Sequence, residues 1–150
     1  MSVWKPAVTV AAVIEREGRF LFVEEEADGR RVLNQPAGHL DPGESLVAAV
    51  AREVLEETAL RFTPTALLGV YRWHYVPQDI TFLRFAFCGE ALEAKPGRAL
   101  DPEILAVHWF TPQELSARRT MHRSPLVERC VADYLAGKRF PLEALSREFA

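Results

Sequence analysis

The stretch Gly38–Leu60, GHLDPGESLVAAVAREVLEETAL, constrains this chain more than any other. Residues 41–58 leave the alternating pattern that precedes them, and Leu46, Val47, Val50, Val54 and Leu55 recur at helical spacing. Asp41 as a cap, Pro42 at the first position and Glu44 three residues after the cap suit a helix start. A helix is therefore expected over about 44–58. At about 100° per residue, Glu56 lies about −60° and Glu57 about +40° from Glu53, so three carboxylates share an arc of about 100°. Val47, Val50, Ala51 and Val54 centre on roughly the opposite side. One face enters a core, and the other carries clustered negative charge.

Like charges three and four residues apart destabilise a helix. A cation relieves that repulsion, and a set of hard oxygen donors suits Mg²⁺, with Mn²⁺ as the alternative. Mg²⁺ takes few protein carboxylates and completes its shell with water and phosphate, so an open site and a small phosphorylated substrate follow. Arg52 is placed to pair with Glu44 or with a ligand and to fix its rotamer. Gly38 permits a backbone turn that aims its carbonyl at the metal. For an isolated E-x-x-E-E, a solvated acidic helix face is the better reading.

The wider pattern changes that balance. Gly38, five residues, Glu44, seven residues and then Arg52-Glu53-Val54-Leu55-Glu56-Glu57 matches the Nudix box. The chain thereby resembles the Nudix hydrolases. The segments NQPAGHL (34–40), FLRF (82–85), RSPLV (123–127) and YLAGKRFPLE (134–143) look like the phosphatase NudJ branch. The resemblance implies an α/β/α sandwich with a mixed central sheet and hydrolysis of phosphoanhydride bonds in nucleoside di- and triphosphates. It also implies action on hydroxymethylpyrimidine pyrophosphate and thiamine pyrophosphate. ADP-ribose or nucleotide-sugar pyrophosphatase activity is the alternative on the same scaffold. A non-catalytic ligand-binding module is disfavoured, because all four box glutamates are present. One position departs from the family: Ala59 stands where a glycine usually ends the helix in a left-handed conformation.

The rest of the chain fits one domain over residues 1–150. Residues 6–26 read as a hairpin with a turn at EREG, and ADGRR as a second turn. VLNQPAGHL is a short strand broken by Pro36 and Gly38. Strands are expected over 64–76 and 80–92, joined around Pro77–Asp79, then a loop over 93–103 containing Pro96, Gly97 and Pro102. ILAVHWF is a further strand. Thr111 with Glu114 opens a short helix, and Ser124-Pro125-Leu126 opens a last one that Gly137 ends. The net charge of −3 argues against nucleic-acid binding. No apolar run reaches the ~18 residues of a membrane span. MSVWKPAV lacks the parts of a secretory signal, so the cytoplasm is the expected compartment. Cys88 and Cys130, without metal-site spacing, are expected as reduced thiols, one in a strand and one in a helix. Monomer and homodimer both stand open.

Glu53 and Glu57 lead the candidate metal ligands, with Glu56 third and the Gly38 carbonyl beside them. Glu44 and Arg52 join Glu53 and Glu57 as candidate catalytic residues. One glutamate must also take a proton from water. Family members place that base in the box or on a distal loop, where Glu103 is the candidate and Asp101 a weaker substitute; a surface glutamate is the plain alternative. Arg84, in an otherwise apolar strand, either binds phosphate or forms an internal ion pair. Arg123 opens RSPLV near a helix start that favours anions. Asn34 and Gln35 either contact the base or sugar of a substrate or cap a loop. Trp73, His74 and Tyr75 either stack on a flat ring or pack. Arg30 and Arg31 read as solvated, and His39 is not assigned to the metal.

Overall fold

In the computed structural model, residues 2–94 and 97–145 are described. Eight strands and three α-helices follow one another as β1 (Ala7–Val13), β2 (Glu15–Arg16), β3 (Arg19–Ala27), β4 (Arg30–Asn34), β5 (Ala37–His39), α1 (Leu46–Thr58), β6 (Leu60–Tyr75), β7 (Ile80–Glu93), β8 (Ile104–Phe110), α2 (Pro112–Ser116) and α3 (Leu126–Leu135). Pro96, expected in the loop after β7, lies outside the described residues.

The strands form two sheets. The first, ordered β5-β1-β7-β6, is mixed: β1 runs parallel to β7, and the other pairs are antiparallel. In the second, β3 pairs with β8 along one side and with β2 and then β4 along the other. The expected hairpin over residues 6–26 is therefore corrected. Only the two residues of β2 turn back on β3, through Glu17 and Gly18 with positive φ, while β1 belongs to the other sheet. Burial explains the switch. Val10, Ala11, Ala12 and Val13 are all buried, so β1 is covered on both faces and takes a strand partner on each edge.

Two apolar cores flank the sheets. Val10, Ala12, Phe62, Leu67 and Phe87 pack against Ala49, Val50 and Val54 of α1. Val13, Phe22, Leu68, Ala86 and Phe110 pack against Leu115 of α2 and Val127, Cys130 and Val131 of α3. The layers are those of an α/β/α sandwich. Cys88 lies in β7 and Cys130 in α3, both buried and free. Among the described residues no helix is long and apolar enough to cross a membrane.

Two helix ends bear on the site. The start of α1 is later than expected. Gly43 adopts φ 81°, which stops helical backbone at Asp41–Glu44, and Ser45 caps instead, accepting from the Ala48 amide. Glu44 still accepts from the Asp41 amide at 2.8 Å, so half of a capping box survives in a turn. At the other end Ala59 adopts φ 60°, ψ 20°, and its amide reaches the Leu55 carbonyl. The terminus is the glycine-type cap, carried by alanine. The capping box at Thr111–Glu114 and the positive φ of Gly137 after α3 match expectation.

Candidate active site

A cleft of about 340 Å³ opens between β5, the second half of α1, β7 and the segments around residues 101–103 and 123–126. Glu53, Glu56 and Glu57 line it from α1, with Gly38 and His39 from β5. Helical spacing brought these three glutamates together as expected, but their environments differ. Glu57 is 7% exposed. β5 covers it, and the Ala37 amide donates to its carboxylate at 2.8 Å. Burial, reinforced by Glu25, Glu53 and Asp101 and opposed by that hydrogen bond, pushes its pKa up to about 9. Burial also raises Glu53, against the pull of Arg52.

Arg52 joins the acidic residues into one network. It donates to both Glu44 oxygens at 2.9 and 2.6 Å, to Glu53 at 2.8 Å and to the His39 carbonyl at 3.1 Å. Glu56 lies 3.3 Å away and Asp41 likewise. The hydrogen bond from Arg52 lowers the pKa of Glu44, and its carboxylate partners raise that of Arg52. Neither Glu44 nor Arg52 lines the cleft. Their geometry is that of a brace behind Glu53 and Glu56, as expected for Arg52, and places neither against a substrate.

Gly38 departs from expectation. It sits in β5 without a positive φ, paired with Val10. Its neighbours Pro36 and Leu40 make the ladder hydrogen bonds to β1, so the Gly38 carbonyl belongs to the same hydrogen-bonded series and faces β1. Ala37 is in the alternate series, and its amide, with the carbonyl beside it, faces the Glu57 side. Glycine is needed at 38 for another reason: a Cβ there would fall on the Glu53 carboxylate.

Among the described residues no three acidic, His or Cys groups yet converge to enclose a metal. The donor set nevertheless suits a hard divalent cation. Glu57 is a buried carboxyl group without a cationic partner among the described residues, and Glu53 and Glu56 line the same cleft.

Two arginines also line the cleft. Arg84, 5% exposed, reaches the cleft from β7. Among the described residues the ion pair with a box glutamate, the alternative to phosphate binding, does not form. Its guanidinium donates to the Gln35 amide oxygen at 3.0 Å and to that of Asn34 at 2.9 Å. Asn34 lines the cleft and Gln35 does not. Arg123 lines it too, and pairs with Glu25 at 3.2 Å. Glu103 and Asp101 stand at its edge, and the Asp101 amide donates to the Glu56 carbonyl at 2.8 Å. Trp73 lines the cleft and stacks on Phe82 with centroids 5.5 Å apart, whereas His74 and Tyr75 turn to Asp79 and Asp28. Arg30 and Arg31 lie outside the cleft.

Sequence reading missed Glu25 and Phe82. Alternation along β3 puts Glu25 on the face of Leu21, which packs in the α1 core, so period-two counting carried the signal.

Comparison with known proteins agrees with this fold. Residues 3–130 match the NUDIX domain. The chain is 40% identical over 142 residues to phosphatase NudJ of Escherichia coli K12, covering 95% of this chain and 92% of that protein. A NUDIX hydrolase structure from Nitrosomonas europaea superposes with a TM-score of 0.93 at 50% identity, over 96% of this chain and 98% of that one. The NUDIX domain of Shewanella oneidensis NrtR, solved with ADP ribose, shares the fold alone, with a TM-score of 0.70 at 15% identity over 90% of each chain. By the box, the sandwich and these relatives, the chain belongs to the Nudix hydrolase family.

Proposed function

We propose that the protein hydrolyses phosphoanhydride bonds of small nucleoside di- and triphosphates in a Mg²⁺-dependent reaction, with Mn²⁺ as a substitute cation. One observation carries this reading: a single cleft holds a buried carboxyl group without a cationic partner, Glu57, and a buried guanidinium without a counter-ion, Arg84, among the described residues. A metal–phosphate pair satisfies both groups at once.

Glu53, Glu56 and Glu57 would hold the cation, with the Ala37 carbonyl in the place first given to Gly38. When bound, the cation neutralises phosphoryl oxygens and acidifies water. Arg84 binds the phosphate, and Arg123 stands beside it, partly neutralised by Glu25. Water adds to phosphorus, the anhydride oxygen leaves with the departing phosphate, and the proton of water passes to a carboxylate. Glu103, outside the box and beside Glu25, is the candidate acceptor. Arg52 and Glu44 keep Glu53 and Glu56 in place.

The test is phosphate release, with and without Mg²⁺, from nucleoside di- and triphosphates and from hydroxymethylpyrimidine and thiamine pyrophosphates, each with and without added inorganic pyrophosphatase. Direct release of phosphate dependent on Mg²⁺ is expected. Release only after pyrophosphatase is added would instead put cleavage at the inner linkage. No release in either arm, with turnover of ADP-ribose or a nucleotide sugar, would overturn the substrate assignment.

A further inference from the structure

Arg84 carries a charge into the interior without a counter-ion among the described residues, a costly arrangement unless something else gains by it. Its two oxygen partners are both amides, and the Cys130 Sγ, 3.8 Å away, is a weak third acceptor. Gln35 is 1% exposed and fully committed: its oxygen accepts from Arg84, and its nitrogen donates to the Val127 carbonyl of α3 at 2.7 Å. Asn34 supplies the second oxygen from the end of β4. Amide oxygens satisfy guanidinium donors without cancelling the charge. Carboxylates in the same places would make a buried ion pair, and apolar side chains would leave the donors unpaired.

We propose that the Asn34–Gln35 amide pair positions Arg84 and leaves its charge to the phosphate of the substrate. The pair thus sets phosphate affinity from behind, and Gln35 makes no contact with base or sugar. This rests on the reading of Arg84 as the phosphate contact.

Gln35→Glu tests it, because it keeps the shape of the side chain and adds a charge, at the loss of the hydrogen bond to the Val127 carbonyl. Two readouts are taken with Mg²⁺ present: calorimetric binding of inorganic pyrophosphate, and steady-state kinetics on the best substrate of the panel. Both the Kd and the KM are expected to rise about 10-fold, roughly 1.4 kcal/mol, with kcat within about threefold. The melting temperature of Gln35→Glu is expected to fall, since the new carboxylate no longer donates to the Val127 carbonyl, whereas that of Asn34→Asp is expected to hold or rise as its carboxylate pairs with Arg84. A folded Gln35→Glu with unchanged Kd and KM overturns the proposal. Asn34→Asp places the carboxylate on the other guanidinium nitrogen; the same rise is expected, and it decides the matter if Gln35→Glu does not fold. Arg84→Gln separates two failures. If it leaves Kd and KM unaltered, the phosphate role of Arg84 falls and the amide role with it. If it raises them while the amide variants do not, only the amide role falls.

Discussion

Glu57→Gln should stabilise the metal-free protein while disabling it. The native carboxyl titrates at about 9, against 4.5 ordinarily. Near pH 7 the native protein keeps a proton that the unfolded chain has given up. That gap of roughly 2.5 pH units corresponds to about 3 kcal/mol of lost stability. The sign follows from the raised pKa: the cost is absent below about 4.5, grows as pH rises, and levels off above about 9. Glutamine keeps the acceptor for the Ala37 amide and carries no charge to desolvate. In chelator, urea midpoints of wild type and variant should coincide at acid pH and diverge toward alkaline pH, with the variant more stable. Added Mg²⁺ should stabilise the wild type and close most of the gap, because a ligand of the native state adds its binding free energy. Turnover with Mg²⁺ should fall at least ~100-fold. A variant less stable than wild type at every pH, or a stability difference that ignores pH, refutes the reasoning. Near-normal turnover removes Glu57 from the chemistry.

Ala59→Gly should raise stability by about 0.5–1 kcal/mol, because relief of the left-handed backbone exceeds the added freedom of the unfolded chain; a lower urea midpoint contradicts this. Gly38→Ala puts a methyl group on the Glu53 carboxylate, and kcat/KM should drop on the order of 100-fold for so small a displacement. Wild-type kinetics in that variant would show that Glu53 is free to move. Hydrogen bonds from Arg119 and Ser116 hold the Glu128 carboxyl down to about 2. Its contribution is therefore complete above about 4.5 and lost as pH falls toward about 2, and Glu128→Gln should lack this acid-sensitive part of the urea midpoint. A parallel pH profile for variant and wild type counts against that pairing.

Local physics was readable and long-range partnership was not. Three- and four-residue spacing placed Glu53, Glu56 and Glu57 on one helix face, and the Thr111–Glu114 capping box was found as expected. The start of α1 was lost in a contest between two nearby capping signals, which the backbone of Gly43 decides for Ser45. β1 and β3 were both visible as strands, yet β1 pairs with β5 and with β7, far along the chain. The reason for Gly38 was hidden because the space it leaves is filled by Glu53 across a tertiary contact. For Arg84 the residue type narrowed the choice to phosphate or carboxylate, and only folding reveals Asn34 and Gln35 as its supports.

The parallel pairing of β1 with β7 has a bearing on the order in which the molecule assembles. Thr9 lies opposite Arg84, so 75 positions of chain must be closed before the two strands meet. Such non-local closure is slow compared with forming α1 or the β6–β7 hairpin. The cleft needs that closure, since Thr9 and Arg84 are both part of its wall. On refolding, far-ultraviolet signal should return before pyrophosphate binding, and simultaneous recovery would show that the two strands meet early. A nascent chain would thus hold its acidic helix well before it can grip a phosphate.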